Sequence, residues 1–494
     1  MRMTRAEILA VYAAGPEAVV SLVEVLLTRI EQQERQITQL TARVAELSAR
    51  VEELERRRAQ TSRTSHQPPS SDGLRRAPKP RSLRAESTRR SGGQPGHAGQ
   101  TLRPVEEPEA RQRHAPACCT GCGCAREAVA AERCERRQVF DLPELRLHVT
   151  EHEVQTKRCP GCGALNRGYF PLGVEEPVQY GPRLLALAAY LQSYQLLPFA
   201  RTQQLLEDLF GHAPSQGTLA HHLERAAERL GPLEAGVRAA LIESAAAVHC
   251  DETGVRIEGR LAWLHVASTR HLTLYAAHAR RGREALEALG VLGARQGVCV
   301  HDAYPAYLRY ALPHALCNAH LLRELFALEE ETHALWPTAL VRLLLEMQQA
   351  VESARAAGAR ALPPGQLQEL EARWERILAL GEATHPPPLP TGRAGRQKRS
   401  RGRNLLDRLQ RHRAAVLAFL YDFAVPFDNN QAERDLRMAK LHQKISGSFR
   451  SWDGARTFCR LRSYLSTLRK QGLHVLSALE QLFQGNLLWP QLVG

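Results

Sequence analysis

Three acids far apart along the chain sit where their chemistry can be shared. Asp251 follows the apolar run AAAVHC, Asp302 follows GVCV, and Glu433 lies within VPFDNNQAERDLRMAKL. A carboxylate placed where a buried strand surfaces lies at a sheet edge. Two such acids on neighbouring strands repel each other unless a cation lies between them. Asn429 or Asn430 can cap a helix, which puts Glu433 on its first turn and Arg437 one turn further on. A helix packed across the sheet would bring Glu433 to the two aspartates. Three carboxylates gathered this way can hold two Mg²⁺ ions, roughly 3.5–4 Å apart, that activate an attacking oxygen and stabilise a leaving one. Any one of these acids alone reads as a surface charge or a helix cap; the matched pair on two strand ends reads equally as metal chemistry or as two such charges. Asp428 reads as a cap, and Glu252 should face the other side of its strand.

The elements around the acids fit that use. AAAVHCDETGVRI, LAWLHVAST and LTLYAAHA read as three consecutive strands, RGREALEALG as a helix, and GVCVHDAY as a fourth strand ending in an acid. Strand, strand, strand, helix, strand, with acids on the first and fourth strands and on a later helix, is the RNase-H-like order. Residues 321–382 read as helical with Pro and Gly breaks, 384–403 as a Pro-rich and then basic loop, and helices resume to about 483. Upstream, 181–245 is helical. FARTQQLLEDLFG and SQGTLAHHLERAAERL, separated by Gly211–Ser215, are either a helix-turn-helix or part of a plain helical bundle.

A second chemistry belongs to cysteine. Cys119-Thr-Gly-Cys122-Gly and Cys159-Pro-Gly-Cys162-Gly are similar knuckles. Two thiolates two residues apart can bind one tetrahedral ion, and the following Gly permits the tight turn. Two knuckles flanking the strand-like segments Arg137–Leu142 and Leu145–Val154 make a structural zinc ribbon. Cys118, Cys124 and Cys134 blur which sulfurs of the first half serve. Cys317-Asn-Ala-His320 is a further candidate pair, although the residues alone read better as a core Cys and a satisfied His.

The N-terminal part has another character. Val23, Ile30, Ile37, Val44 and Val51 occupy one seam position of a heptad over 21–58; Leu26, Gln33, Leu40, Leu47 and Leu54 occupy the other. β-Branched residues at a with Leu at d favour a parallel two-stranded coiled coil. The same stripe could also pack on its own domain. From Arg56 to Arg90 there are eleven Arg or Lys against two acids, among Ser, Pro and Gly. Such a stretch cannot bury a core; it reads as a basic linker that tracks a polyanion or as a solubilising spacer. Over the whole chain, 66 Lys and Arg exceed 52 acids, a formal charge of +14 that suits a polyanionic partner. There is no secretory leader pattern and no apolar run of about 18 residues, so we expect a soluble cytoplasmic protein with no membrane partner. Clustered Cys in a reducing compartment point to metal rather than disulfides.

Together these motifs resemble the insertion-sequence-66 family of bacterial transposases along nearly the whole chain. The stretches that carry the resemblance are PPSSDG, GGQPGHAGQTL, RCPGCG, YGPRLLALAAYLQSYQLLPFART, SQGTLAHHLERA, CDETGVRI, VHDAYPAY, CNAHLLREL and, above all, residues 425–472 from VPFDNNQAERDLR to YLSTLRKQG. The resemblance implies Asp251, Asp302 and Glu433 as a catalytic triad using Mg²⁺ or Mn²⁺ to cut and rejoin DNA at terminal inverted repeats and target sites. It implies that Asn429, Asn430 and Arg434 orient the glutamate or the scissile phosphate, and that Cys317 and His320 support the active site. It implies structural Zn²⁺ on a zinc-binding segment, a dimer or higher oligomer, a nucleoid-associated location and accessory proteins from the same element. The expected α+β multidomain organisation is a coiled coil at 15–58, a basic linker at 59–114, a zinc ribbon at 115–170 and a helical DNA-binding region at 175–243. An RNase-H-like catalytic core follows at 244–330 and 420–450, with a helical insertion at 331–419 and a C-terminal helical element at 451–494. Two other readings stand beside this one: a catalytically silent DNA-binding regulator of transposase descent, and an RNase-H-like nuclease without strand transfer.

Overall fold

The computed structural model describes residues 4–59, 99, 101–388 and 399–492. Most of the basic linker and residues 389–398 of the basic loop lie outside them.

A short helix, α1 (Arg5–Ala13), leads into α2 (Pro16–Ala59), 44 residues long. The seam residues Val23, Leu26, Ile30, Ile37, Leu40, Val44, Leu47 and Val51 are all exposed. Residues 101–180 hold little regular structure: β1 (Thr156–Arg158) and β2 (Leu165–Arg167) pair antiparallel around the second cysteine knuckle. Segments 137–142 and 145–154, expected as strands, are not paired. Their apolar residues, including Val139, Leu142 and Val149, are exposed, and a strand without a partner gains nothing from its pattern.

Helices α3 (Pro182–Ala189), α4 (Phe199–Phe210), α5 (Gln216–Arg229) and α6 (Gly231–Glu243) follow. Gly211, at φ +67°, ends α4, and the Ser215 hydroxyl accepts from Thr218 N–H to start α5. The chain then enters the sheet. β3 (Val248–Ile257), β4 (Arg260–Ser268) and β5 (Thr273–His278) form an antiparallel meander. The β3–β4 turn is Glu258-Gly259, both at positive φ, as a two-residue hairpin turn demands. After α7 (Arg283–Leu289), β6 (Cys299–His301) pairs parallel to β3, and β7 (His314–Leu316) parallel to β6, giving the order β5-β4-β3-β6-β7. The three-residue β7 was not expected: it is too short to show alternation.

The chain leaves β7 into α8 (Asn318–Thr332), α9 (Leu335–Ala356), α10 (Pro364–Thr384), α11 (Arg401–Arg411), α12 (Arg413–Val416) and α13 (Ala418–Tyr421), which share a core around Trp336, Leu344, Trp374 and Leu406. Arg399 and Arg403, in the described part of the basic loop and α11, pair with Asp407, and Arg401 pairs with Glu331. The chain then returns to the sheet as α14 (Asn430–Ser446), α15 (Trp452–Lys470) and α16 (Val475–Phe483).

Strand alternation sorts the two faces of the sheet. Val248, Cys250, Ala267 and Leu274 pack with α6, α7 and α16; Val255, Ile257, Leu264 and Val266 pack with Ala432, Leu436 and Ala439 of α14. Helix α15 lies along β5, whose free edge it covers. Tyr275 N–H donates to Ser463 Oγ at 2.9 Å and Thr273 N–H to Thr467 Oγ1 at 3.1 Å, so the edge has no unpaired ladder there to offer another chain. The architecture is therefore mixed α+β, and among the described residues no helix is long and apolar enough to cross a membrane.

Gly381 lets α10 approach its neighbours. A Cβ there would meet Leu406 Cδ2 at 2.7 Å and Trp336 Cδ2 at 3.1 Å. Alanine normally improves a helix interior by about 1 kcal/mol over glycine. Here we expect Gly381→Ala to destabilise the protein by about 1–3 kcal/mol through overpacking, measured by chemical denaturation. A stabilised variant would show that this core has slack.

Candidate functional site

The pairing of β3 with β6 is short: Val248 faces Cys299 and His249 faces Val300. Continued in the same register, it sets Asp251 level with Asp302. β6 stops one residue before Asp302, whose Oδ1 accepts from Tyr304 N–H at 3.0 Å and so builds the turn that ends the strand. Asp251 is not at a strand end, as expected from AAAVHC, but inside β3, which runs on to Ile257 because β4 pairs with it along its length. What ends near Asp251 is the partner β6. By alternation Asp251 shares the face of Val255 and Ile257, beneath α14.

The pair is poorly solvated. The Asp302 side chain is 13% exposed. Burial, then the Glu252 and Asp302 charges, hold the Asp251 carboxyl well above the ordinary carboxylate range. Burial and Glu252 push Asp302 up to about 7, against the pull of the Tyr304 N–H and Arg281. Two hard carboxylates that resist ionising together suit a divalent cation of the Mg²⁺ class, whose charge would offset both.

Glu252 lies on the opposite face, with Cys250. Its carboxylate accepts from Arg281 Nε at 2.7 Å and from the Tyr307 hydroxyl, so it is already occupied. Arg281 also reaches Asp302 at 4.0 Å and lies over the rings of Tyr304 and Trp263, 4.1 and 5.0 Å from their centroids. It is a shared counter-charge that motif reading passed over.

Glu433 comes in on α14. Asn429 precedes the helix and is buried. Its Nδ2 donates to Cys250 O at 2.8 Å, its Oδ1 is 2.9 Å from His249 Nδ1, and its N–H donates to Cys317 Sγ at 3.1 Å. With its side chain engaged on β3, Asn429 makes no side-chain cap. Asp428 serves instead, accepting from Asn430 N–H at 3.0 Å. One turn in, Glu433 Oε1 lies 3.7 Å from His320 Nδ1 and 3.4 Å from Arg323 Nη2. Burial raises its carboxyl while Arg323 lowers it, and its charge acts on Asp251. Among the described residues, Cys317, His320 and Glu433 form a group whose ligand atoms all lie within 4.8 Å of one another. Asn430 and Arg434 are exposed; Asn430 binds Asp428 and Arg434 binds Gln431. Lys440, two turns beyond Glu433 on the same face, donates to Gly254 O at 3.4 Å. Burial brings its ammonium down to about 8, and Asp251 pulls it back up. The sequence signal for it was there, a seven-residue step from Glu433.

The cysteine knuckles repeat each other's geometry. Gly123 N–H donates to Cys119 O and Gly163 N–H to Cys159 O, both at 2.9 Å, with both glycines at positive φ. Arg126 and the N–H groups of Cys122 and Gly121 lower the Cys119 thiol to about 6. The N–H groups of Cys162 and Gly161 lower Cys159. Each turn thus favours thiolate and suits a soft ion such as Zn²⁺. The four sulfurs of Cys119, Cys122, Cys159 and Cys162 are not gathered into one group within 4.8 Å, as the trio at Glu433 is.

Comparison with known families gives two matches. Residues 177–457 match the model described as Transposase IS66 family, and residues 20–103 match that of a family of unknown function. No curated protein matches the chain.

The raised aspartates set a pH dependence. An acid whose folded-state pKa exceeds its unfolded value of about 3.9 makes the native state bind more protons than the unfolded one. Stability then falls as pH rises through that window, here up to about 7 for Asp302. In chelator at pH 8, Asp302→Asn should therefore be more stable than the parent, by at least about 1.4 kcal/mol, the worth of one pKa unit. The gap should close at pH 4. Thermal unfolding at both pH values checks this; a variant less stable at pH 8 would mean the pair carries no repulsion.

Proposed function

This chain belongs to the IS66 family of transposases, and we propose that it cuts and rejoins DNA through Asp251, Asp302 and Glu433 in an RNase-H-like core. The observation that carries this reading is the β3–β6 register, which, continued two residues past its last recorded pair, sets Asp251 level with Asp302. The sheet order β5-β4-β3-β6-β7 and the arrival of Glu433 on a helix over the same face support it.

In this reading Asp251 and Asp302 hold Mg²⁺ or Mn²⁺, and Glu433 completes the set. Such an ion supplies Lewis acidity, making an attacking oxygen a better nucleophile and offsetting charge on the leaving one. Arg281 keeps Asp302 oriented while the site is metal-free. Arg323 and Lys440 supply positive charge on either side of Glu433 for phosphate oxygens. Asn430 and Arg434, exposed at the start of α14, face outward for the DNA backbone. The same residues serve first hydrolysis of a terminal phosphodiester and then attack by the freed 3′-hydroxyl on target DNA.

The other parts serve this chemistry. The exposed seam of α2 suits a second copy in a parallel coiled coil, which would bring two element ends together. The knuckles at Cys119/Cys122 and Cys159/Cys162 hold structural Zn²⁺, and the α4–α5 pair contacts the terminal repeats. Helices α8–α13 are the insertion between the second aspartate and the glutamate. Accessory proteins of the same element and a cytoplasmic, nucleoid-associated setting complete the proposal.

With Mg²⁺ or Mn²⁺, the purified protein should nick its element's terminal repeats and join pre-cut ends to target DNA. Asp251→Asn should lower nicking by at least roughly 100-fold, the loss of a few kcal/mol of transition-state stabilisation, while retaining DNA in a gel-shift assay. Normal nicking by this variant would refute the site. Nicking without joining would favour a nuclease, and binding without nicking by the parent would favour a silent regulator.

A further inference from the structure

Glu433 is claimed by two sets of ligands of different chemical character. The proposed function asks it to join the oxygens of Asp251 and Asp302. The structure places it with a thiol and an imidazole. We propose that Cys317, His320 and Glu433 form a separate site for a thiophilic ion of the Zn²⁺ type, and that an ion bound there withdraws Glu433 from the aspartates.

The geometry is already assembled. The three ligand atoms lie within 4.8 Å of one another, with His320 Nδ1 3.7 Å from Glu433 Oε1. Cys317 is the N-cap of α8 and His320 lies in its first turn, a three-residue step that puts both on one side of the helix. The third donor comes from the first turn of α14. The two helix starts are tied together: Asn429 N–H donates to Cys317 Sγ at 3.1 Å, and Asn318 N–H to Phe427 O at 3.1 Å. A site that depends on two elements keeps its shape only if they are pinned, and these are. Against Cys317 and His320, though not Glu433, is a small cleft of about 20 Å³ walled also by Glu324, Arg408 and apolar side chains. That is room for one water beside two of the three ligands.

Ligand chemistry separates this site from the aspartate pair. Mg²⁺ takes oxygen ligands and demands octahedral geometry. One sulfur, one imidazole nitrogen and one carboxylate oxygen suit tetrahedral Zn²⁺. Binding converts the Cys317 thiol to thiolate, and its proton leaves to solvent. In the ion's absence Arg323, 3.4 Å from the same carboxylate oxygen, holds Glu433 on the α8 side. A bound ion would fix it there. Zinc is then an antagonist of Mg²⁺-dependent cutting. That second step rests on Glu433 acting with the aspartates; the binding itself does not.

The test uses the full-length chain stripped of metal and titrated with Zn²⁺, or with Co²⁺ as the optical probe. The parent should bind one more equivalent than Cys317→Ser, and that variant should lose part of the cobalt–thiolate absorption while the knuckle cysteines keep theirs. His320→Ala, at a half-exposed side chain, is the second variant should Cys317→Ser not fold, with circular dichroism confirming folding. Folded variants that bind as many equivalents as the parent overturn the site. Zinc should slow Mg²⁺-dependent nicking by the parent roughly tenfold, within the usual range for coupled sites. It should leave each variant at its own zinc-free rate. Equal slowing of parent and variants overturns the antagonism. A parent that never nicks DNA counts against the proposed function and leaves the cobalt result standing.

Discussion

Like charges held level on two parallel strands are the constraint from which the site follows. The β3–β6 pairing ends at His249 and Val300, and its register, continued by two residues, sets Asp251 level with Asp302; one sits mid-strand and the other builds the turn after its strand. In a poorly solvated place such a pair costs free energy unless something positive answers it. The protein supplies part of that answer through Arg281, which Glu252 and Tyr304 hold in place. Glu252 also adds to the repulsion, because its own charge raises both aspartates. The arrangement is therefore under-compensated by protein alone, which is compatible with the cation that the proposed function places there.

The third carboxylate is positioned by a neutral side chain. Asn429 spends both ends of its amide on β3 and its backbone N–H on the sulfur of Cys317. That fixes where α14 begins, and hence where its first turn presents Glu433. A residue at this position with no amide would leave Cys250 O without this donor and free the helix start to move. The cost to Asn429 is that it cannot cap its own helix, and Asp428 has taken over that task.

Much of this was legible in the chain. Three alternating runs, a helix and a fourth run ending in an acid gave the meander and its parallel neighbour, because half-buried strands with two different faces write a period of two into the sequence. The acid-bearing helix was legible with Asp428 as its cap, although neither asparagine caps it with its side chain. Other features were not. Segments 137–142 and 145–154 carry strand-like residues but find no partner, and pairing is a property of two segments rather than one. β7 is too short for a period. The two asparagines were interchangeable as caps in the sequence, and only the packing against β3 distinguishes buried Asn429 from exposed Asn430. Arg281 lies in a loop with nothing local to mark it, since its partners are 29 and 21 positions away.

The size of the helical excursion between Asp302 and Glu433 raises the question of how so much chain leaves the geometry intact. Its two ends answer it. The chain departs at Cys317 and Asn318 and returns at Phe427 to Asn429, and those residues bind each other directly. The excursion has its own core, around Trp374 and Leu406, separate from those on the two faces of the sheet. Closing a long loop costs only slowly more entropy as it lengthens, so a unit joined at a pinned neck can be large without loosening the site. Three contacts cross from the unit to the acids: His320 and Arg323 to Glu433, and Glu324, paired with Arg408, through its charge on Asp302. All come from the first turns of α8, next to the neck. Helices α12 and α13 also pack on β7, and Ala418 lies against Val300 of β6, the strand that leads to Asp302, so the excursion meets the acids directly through α8 and through the sheet by way of α12 and α13.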